Sequence, residues 1–85
     1  MTSFPVRVMV QDAWDEVAFS LSPATRLADL KQRALDVTRI RRPADEYVLK
    51  FRGAELADES QSLTEAGIVP NGTLIVLPRH RRPVR

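Results

Sequence analysis

Apolar residues recur at helical spacing in one stretch of this chain, and runs that alternate bracket that stretch on both sides. Leu27, Leu30, Ala34 and Val37, with Leu35 beside them, make one apolar stripe. Asp29, Lys31, Gln32, Arg33 and Asp36 fall mostly on the other side. Before the stripe, Phe4 to Val10 alternates, with Val6, Val8 and Val10 facing one way and Arg7 and Met9 the other. Glu16 to Leu21 repeats the pattern through Val17, Phe19 and Leu21, with Ala18 and Ser20 opposite. A lone helical stripe has to be buried against another layer. The inward faces of the strands supply it, which predicts one helix covering one face of one sheet.

The connections support that order. Gln11-Asp12-Ala13-Trp14-Asp15 is a short polar link, so the first two strands form an antiparallel hairpin. Ser22-Pro23-Ala24-Thr25 breaks the second strand, and Thr25 offers a hydroxyl as helix N-cap. Pro43 disfavours helix at Arg42, so the helix is expected to end near Thr38 to Ile40. Tyr47 to Phe51 reads as a third strand with Leu49 and Phe51 inward. Gly53 marks a tight turn, and Ala54-Glu55-Leu56 a very short strand. Asp58 to Ser62 is a polar loop, and Leu63 to Gly67 one helical turn closed by Gly67. After the turn Pro70-Asn71-Gly72 comes a last strand, Thr73 to Leu77, stopped by Pro78. Leu74 and Val76 lie on one of its faces, Ile75 and Leu77 on the other. The class is α+β, a mixed sheet of four to five strands packed on one helix.

Eighty-five residues leave room for one core, here placed in residues 1–78, with 79–85 as a basic, flexible tail. That tail, Arg79-His80-Arg81-Arg82-Pro83-Val84-Arg85, holds four of the thirteen basic residues and no acid. The body keeps nine basic against eleven acidic residues, a net of −2. There is no cysteine, which excludes disulfides and thiolate metal sites. No apolar run approaches the roughly 18–20 residues of a membrane span. The first residues lack the charged and apolar regions of a secretory signal, so the cytoplasm is the expected location. Arginine outnumbers lysine eleven to two, which points to a GC-rich bacterial genome.

Three segments together resemble ubiquitin and its relatives, over roughly residues 4–78. They are Leu21-Ser22-Pro23 leading into Leu27-Ala28-Asp29-Leu30-Lys31, then Leu49-Lys50-Phe51-Arg52-Gly53-Ala54-Glu55-Leu56, then Ser62-Leu63-Thr64-Glu65-Ala66-Gly67-Ile68 with Asn71-Gly72-Thr73-Leu74. The resemblance implies a β-grasp, a mixed sheet curled around one helix with the first and last strands as parallel neighbours. It also implies binding to other proteins through the sheet surface, which is an analogy of fold and not a property of the residues. Two departures refine it. Ubiquitin-type modifiers need a tail ending in Gly-Gly, whereas this chain has Arg82-Pro83-Val84-Arg85 and no glycine after Gly72, so conjugation or sulfur carriage is not expected. The family's apolar recognition patch has Lys50 at its centre here, so generic ubiquitin receptors are not expected to recognise it. Two known groups are also similar. One is the small ubiquitin-like subunit of bacterial multicomponent aromatic monooxygenases, through Met1-Thr2-Ser3-Phe4-Pro5-Val6, the length and the basic stretch before the third strand. The other is the small ubiquitin-like protein of type VII secretion, through Ala66-Gly67-Ile68 and Asn71-Gly72. The first is favoured, and would make the chain an accessory subunit docked on a larger bacterial assembly.

The candidate protein-binding residues are Met9, Lys50, Ile75 and Leu77, on the outward sheet face, although scattered exposed apolar residues are common. Trp14, in the hairpin link, is either an exposed anchor or a shield folded over the sheet edge, and the shield is the preferred reading. Arg79, Arg81, Arg82 and Arg85 suit an acidic protein surface better than nucleic acid, since no aromatic residue is interleaved. Arg39, Arg41 and Arg42 read as a solvated loop, as do Asp45-Glu46 and Asp58-Glu59. His80 is a lone histidine and makes neither a triad nor a metal site. No nucleophile, base or phosphate loop emerges, so the expectation is a monomeric binding protein without catalysis, cofactor, metal or membrane attachment.

Overall fold

The computed structural model describes residues 3–79. Strand β1 (Phe4–Val10) and strand β2 (Asp15–Leu21) form the predicted hairpin, joined by a 3₁₀ turn at Gln11–Ala13. Helix α1 spans Leu27–Val37, and strands β3 (Tyr47–Phe51), β4 (Ala54–Glu55) and β5 (Gly72–Pro78) complete the chain. A second 3₁₀ turn, Ala44–Glu46, leads into β3. The five strands make one mixed sheet in the order β2-β1-β5-β3-β4. β1 and β5 run parallel at its centre, and every other pairing is antiparallel. This is the β-grasp arrangement that the resemblance implied.

The alternation places the core. Phe4, Val6, Val8 and Val10 of β1, Leu21 of β2, Tyr47 and Leu49 of β3, and Leu74 and Val76 of β5 are all buried. They meet Leu27, Leu30, Ala34 and Leu35 of α1, with Leu63 and Ile68 from the long connection before β5. Phe51 packs against this cluster from its edge.

Three details of the helix differ from the sequence reading. Val37 is 56% exposed and lies outside the buried stripe. Its place is taken by Lys31, expected on the polar side but only 2% exposed. Spacing explains both: the buried stripe centres on Leu27 and Ala34, which puts position 31 inside it and 37 at its margin. Thr25 is not the N-cap. Arg26 occupies that position in an extended conformation, with no side-chain cap. The loop before Leu63 replaces a cap, because the Leu27 and Ala28 amides donate to the carbonyls of Gln61 and Glu59 at 2.9 and 3.0 Å.

The helix ends near Thr38, as predicted, and closes by a Schellman arrangement with an arginine where glycine is usual. The Ile40 amide donates to Leu35 and the Arg39 amide to Asp36, with Arg39 held at φ +63°. The turn at 63–67 is closed by Gly67 at φ +83°. It is opened by a reciprocal box in which the Ser62 amide donates to Glu65 Oε1 and the Glu65 amide to Ser62 Oγ.

Candidate protein-interaction surface

The strand registers determine which outward side chains become neighbours. Met9 pairs with Glu16 on β2 and with Ile75 on β5. Ile75 pairs with Lys50 on β3, and Lys50 with Glu55 on β4. Paired positions share a face, so Glu16, Met9, Ile75, Lys50 and Glu55 form one row across all five strands. Leu77 and Val48 pair in the next row toward the hairpin link, and Arg7 pairs with Ala18 and Thr73 on the other side.

The structure therefore brings together four of the residues singled out from the sequence. Ile75 is 41% exposed, and Met9, Lys50 and Leu77 are half-buried around it. Val48, not anticipated as part of this surface, pairs with Leu77 but is buried. Among the described residues, Lys50, Glu16 and Glu55 make no ion pair. The Arg52 guanidinium lies 5.1 Å from the Phe51 ring centroid, a cation–π contact at the β3–β4 turn.

Trp14 corrects the shield reading. Its side chain is 87% exposed, so it covers no sheet edge. It caps the Gln11–Ala13 turn in the left-handed region at φ +52°, and its amide donates to the Gln11 carbonyl. That left-handed conformation carries a local cost, and at 87% exposure the indole has little packing to offset it.

A separate cleft of about 220 Å³ lies at the end of β5, lined by Asp12, Arg42, Glu46, Tyr47, Pro78 and Arg79. The Tyr47 hydroxyl donates to Asp12 Oδ2 at 2.8 Å. Burial pushes the Tyr47 phenol above its ordinary pKa, and the Asp12 carboxylate adds to the rise by accepting its proton and by its charge. The Arg42 guanidinium pairs with Glu46 at 3.3 Å, so this part of the basic loop is tied to the turn before β3. Arg79 is tied there too, its amide donating to the Glu46 carbonyl at 2.7 Å and its Nε to Asp45 at 3.0 Å. Arg81, Arg82 and Arg85, with His80, lie outside the described residues.

The acidic pairs also divide. Asp58 is a solvated turn residue, its carboxyl held below the usual carboxylate range by hydrogen bonds from Ser60. Glu59 is not solvated as expected. Both of its carboxylate oxygens lie 2.8 Å from Lys31 Nζ, which also donates to the Tyr47 carbonyl at 2.9 Å. No group of His, Asp or Glu among the described residues is arranged to hold a metal ion, and no helix there is long and apolar enough to cross a membrane.

Comparison with solved structures agrees on the fold. The ubiquitin-like domain of an Arabidopsis thaliana protein superposes with a TM-score of 0.77 at 20% identity, covering 100% of this chain and 86% of that one. Ubiquitin of Caldiarchaeum subterraneum gives 0.78 at 11% identity, covering 96% of this chain and all of the other. The UBL domain of Plasmodium falciparum Dsk2 gives 0.75 at 20% identity, over 92% of this chain and 100% of that domain. The chain matches no protein-family model and no curated protein. At these identities the likeness establishes a ubiquitin-like fold and nothing finer.

Proposed function

We propose that this chain is a docking module of the ubiquitin-like type, one that binds a larger protein through the outer face of its sheet and is not itself conjugated. The observation that carries the reading is the row Glu16–Met9–Ile75–Lys50–Glu55, in which a small apolar centre sits between unpaired charges. Such a surface suits recognition: the apolar centre gives affinity on desolvation, and the charges select partner and orientation. Lys50 beside that centre works against receptors built for a wholly apolar patch. On this reading the chain is an accessory subunit in a bacterial cytoplasm, with no catalytic step of its own. The assembly first in view is a multicomponent aromatic monooxygenase, where the di-iron chemistry would belong to another chain; type VII secretion is second.

The test is affinity capture from the native host with the wild-type chain, Lys50→Glu and Leu77→Asp. Wild type should retain a stoichiometric partner that both variants lose, while their melting temperatures stay within a few degrees of wild type. Capture of a hydroxylase α/β pair supports the first assembly, and capture of a secretion ATPase the second. Retention of the partner by both variants refutes the sheet-face assignment.

A further inference from the structure

We propose that the outer sheet face also pairs with a second copy of this chain, about a two-fold axis that runs along the strands between β1 and β5. This deepens the reading above and rests on it for the face, but it replaces the expected monomer with a self-complementary surface. The argument is one of register. Across the sheet the row reads acid, thioether, isoleucine, lysine, acid, at Glu16, Met9, Ile75, Lys50 and Glu55. A two-fold axis along the strands reverses this order in the facing copy. With the axis between β1 and β5, Glu16 of each copy faces Lys50 of the other, and Met9 faces Ile75. Two ion pairs then flank a closed apolar centre.

No other placement on this row does so. An axis through β5 sets Glu16 against Glu55. An axis between β5 and β3 sets Lys50 against Ile75 and Met9 against Glu55. An axis that follows the row itself makes every residue face its own copy, so Lys50 meets Lys50 and Glu16 meets Glu16. Like charges opposed across an interface are selected against, and of these placements only the axis between β1 and β5 sets opposite charges against each other on both sides of a closed apolar centre.

One neighbouring row agrees with it: Arg7 falls opposite Thr73, which brings no like charges together. Face-to-face sheets aligned within about 30° are an ordinary packing geometry, and an axis along the strands produces it.

The experiment is sedimentation or light scattering on the purified full chain over a concentration series. The average mass should climb from 9.6 kDa toward twice that value. Glu16→Lys and Lys50→Glu should each stay at the single-chain mass where the native chain is half paired, because each puts like charges at both contacts. An equal mixture of the two variants should regain the two-chain mass, since every contact is then Lys against Glu. The double variant should pair like the native chain. If a single variant fails to fold, the double variant decides alone: pairing supports the proposal, and a single-chain mass overturns it. A native chain that stays single throughout, or a mixture that gains nothing, also overturns it. A chain that stays single yet captures a partner through Lys50 removes self-pairing and leaves the docking reading intact; a chain that pairs but captures nothing does the reverse.

Discussion

Glu59→Ala and Lys31→Met remove the same ion pair, yet the first is expected to cost clearly more. Lys31 is 2% exposed, and its ammonium has two acceptors, the Glu59 carboxylate at 2.8 Å and the Tyr47 carbonyl at 2.9 Å. Truncating Glu59 leaves a full charge buried beside one neutral acceptor. Breaking a fully buried pair in this way costs about 3–5 kcal/mol. The Glu59 side chain is 23% exposed, so water reaches the vacated space and offsets part of the loss. About 2–3 kcal/mol should remain. Lys31→Met keeps the length and most of the apolar stem, and it frees Glu59 into solvent that the carboxylate already touches. Only the Tyr47 carbonyl is stranded, at about 1–2 kcal/mol. For a domain of this size each kcal/mol moves the melting temperature by roughly 4–8 °C. Glu59→Ala should therefore melt roughly 10–20 °C lower, and Lys31→Met about half as far.

The assay is urea and thermal unfolding followed by far-ultraviolet circular dichroism, because the single tryptophan is already exposed in the native state and reports poorly. A second readout locates the damage. The carbonyls of Gln61 and Glu59 accept the Leu27 and Ala28 amides respectively, so loosening Glu59 should raise hydrogen exchange at those two amides before the rest of the helix. The double variant should resemble Lys31→Met alone, since no buried charge remains. Lys31→Met losing as much as Glu59→Ala would refute the reasoning, because packing of the lysine stem would then outweigh the desolvated charge.

Tyr47 is the only tyrosine, so the ultraviolet absorbance of tyrosinate titrates it alone, and its midpoint should lie above the ordinary 10.0. The unfolded chain, with its phenol near 10, then loses the proton first as pH rises, so stability is intact below about pH 10 and falls above it. Tyr47→Phe should abolish that alkaline slope and cost about 1 kcal/mol through the lost bond to Asp12; a native midpoint at or below the ordinary value would contradict the assigned burial. At Gly72 an added Cβ would lie 2.9 Å from the Val69 carbonyl and 3.0 Å from the Phe51 ring, so Gly72→Ala should lose about 1–3 kcal/mol as the turn before β5 shifts. An unchanged urea midpoint would show that the turn yields freely.

Local periodicity carried most of the fold. Alternation in 4–10, 16–21, 47–51 and 73–77 placed the strands and their inward faces. It also put Met9, Lys50, Ile75 and Leu77 on the outward side, because strand parity needs no knowledge of neighbours. Two of the misses originate in contacts distant in sequence. Lys31 was assigned to solvent by its chemistry although its spacing put it in the stripe, and the deciding partner, Glu59, lies 28 residues away. Thr25 was the natural cap by local rules, but the helix N-terminus is satisfied by carbonyls of the loop before Leu63. The Ser62…Glu65 box was a local pattern and was available to be read. The exposure of Trp14 follows from a left-handed turn that no local preference of tryptophan announces.

The surface shows where the limit lies. Parity tells which side chains leave the sheet on the same face, but not which of them touch. The row from Glu16 to Glu55 exists because β5 inserts between β1 and β3, parallel to one and antiparallel to the other, with Ile75 set opposite both Met9 and Lys50. A slip of one residue in β5 would turn Ile75 and Leu77 into the core and send Leu74 and Val76 to solvent. The hydrophobic pattern forbids that slip, since Leu74 and Val76 are fully buried. A slip of two residues keeps the core pattern. It would put Thr73 or Leu77 between Met9 and Lys50, giving a different patch from the same sequence. What rejects it lies outside β5: the Asn71 amide donates to the Pro5 carbonyl, and the Arg79 amide to the Glu46 carbonyl, fastening the strand at both ends. The register of the candidate surface is therefore fastened at both ends of β5 by backbone hydrogen bonds, which strand parity alone does not reveal.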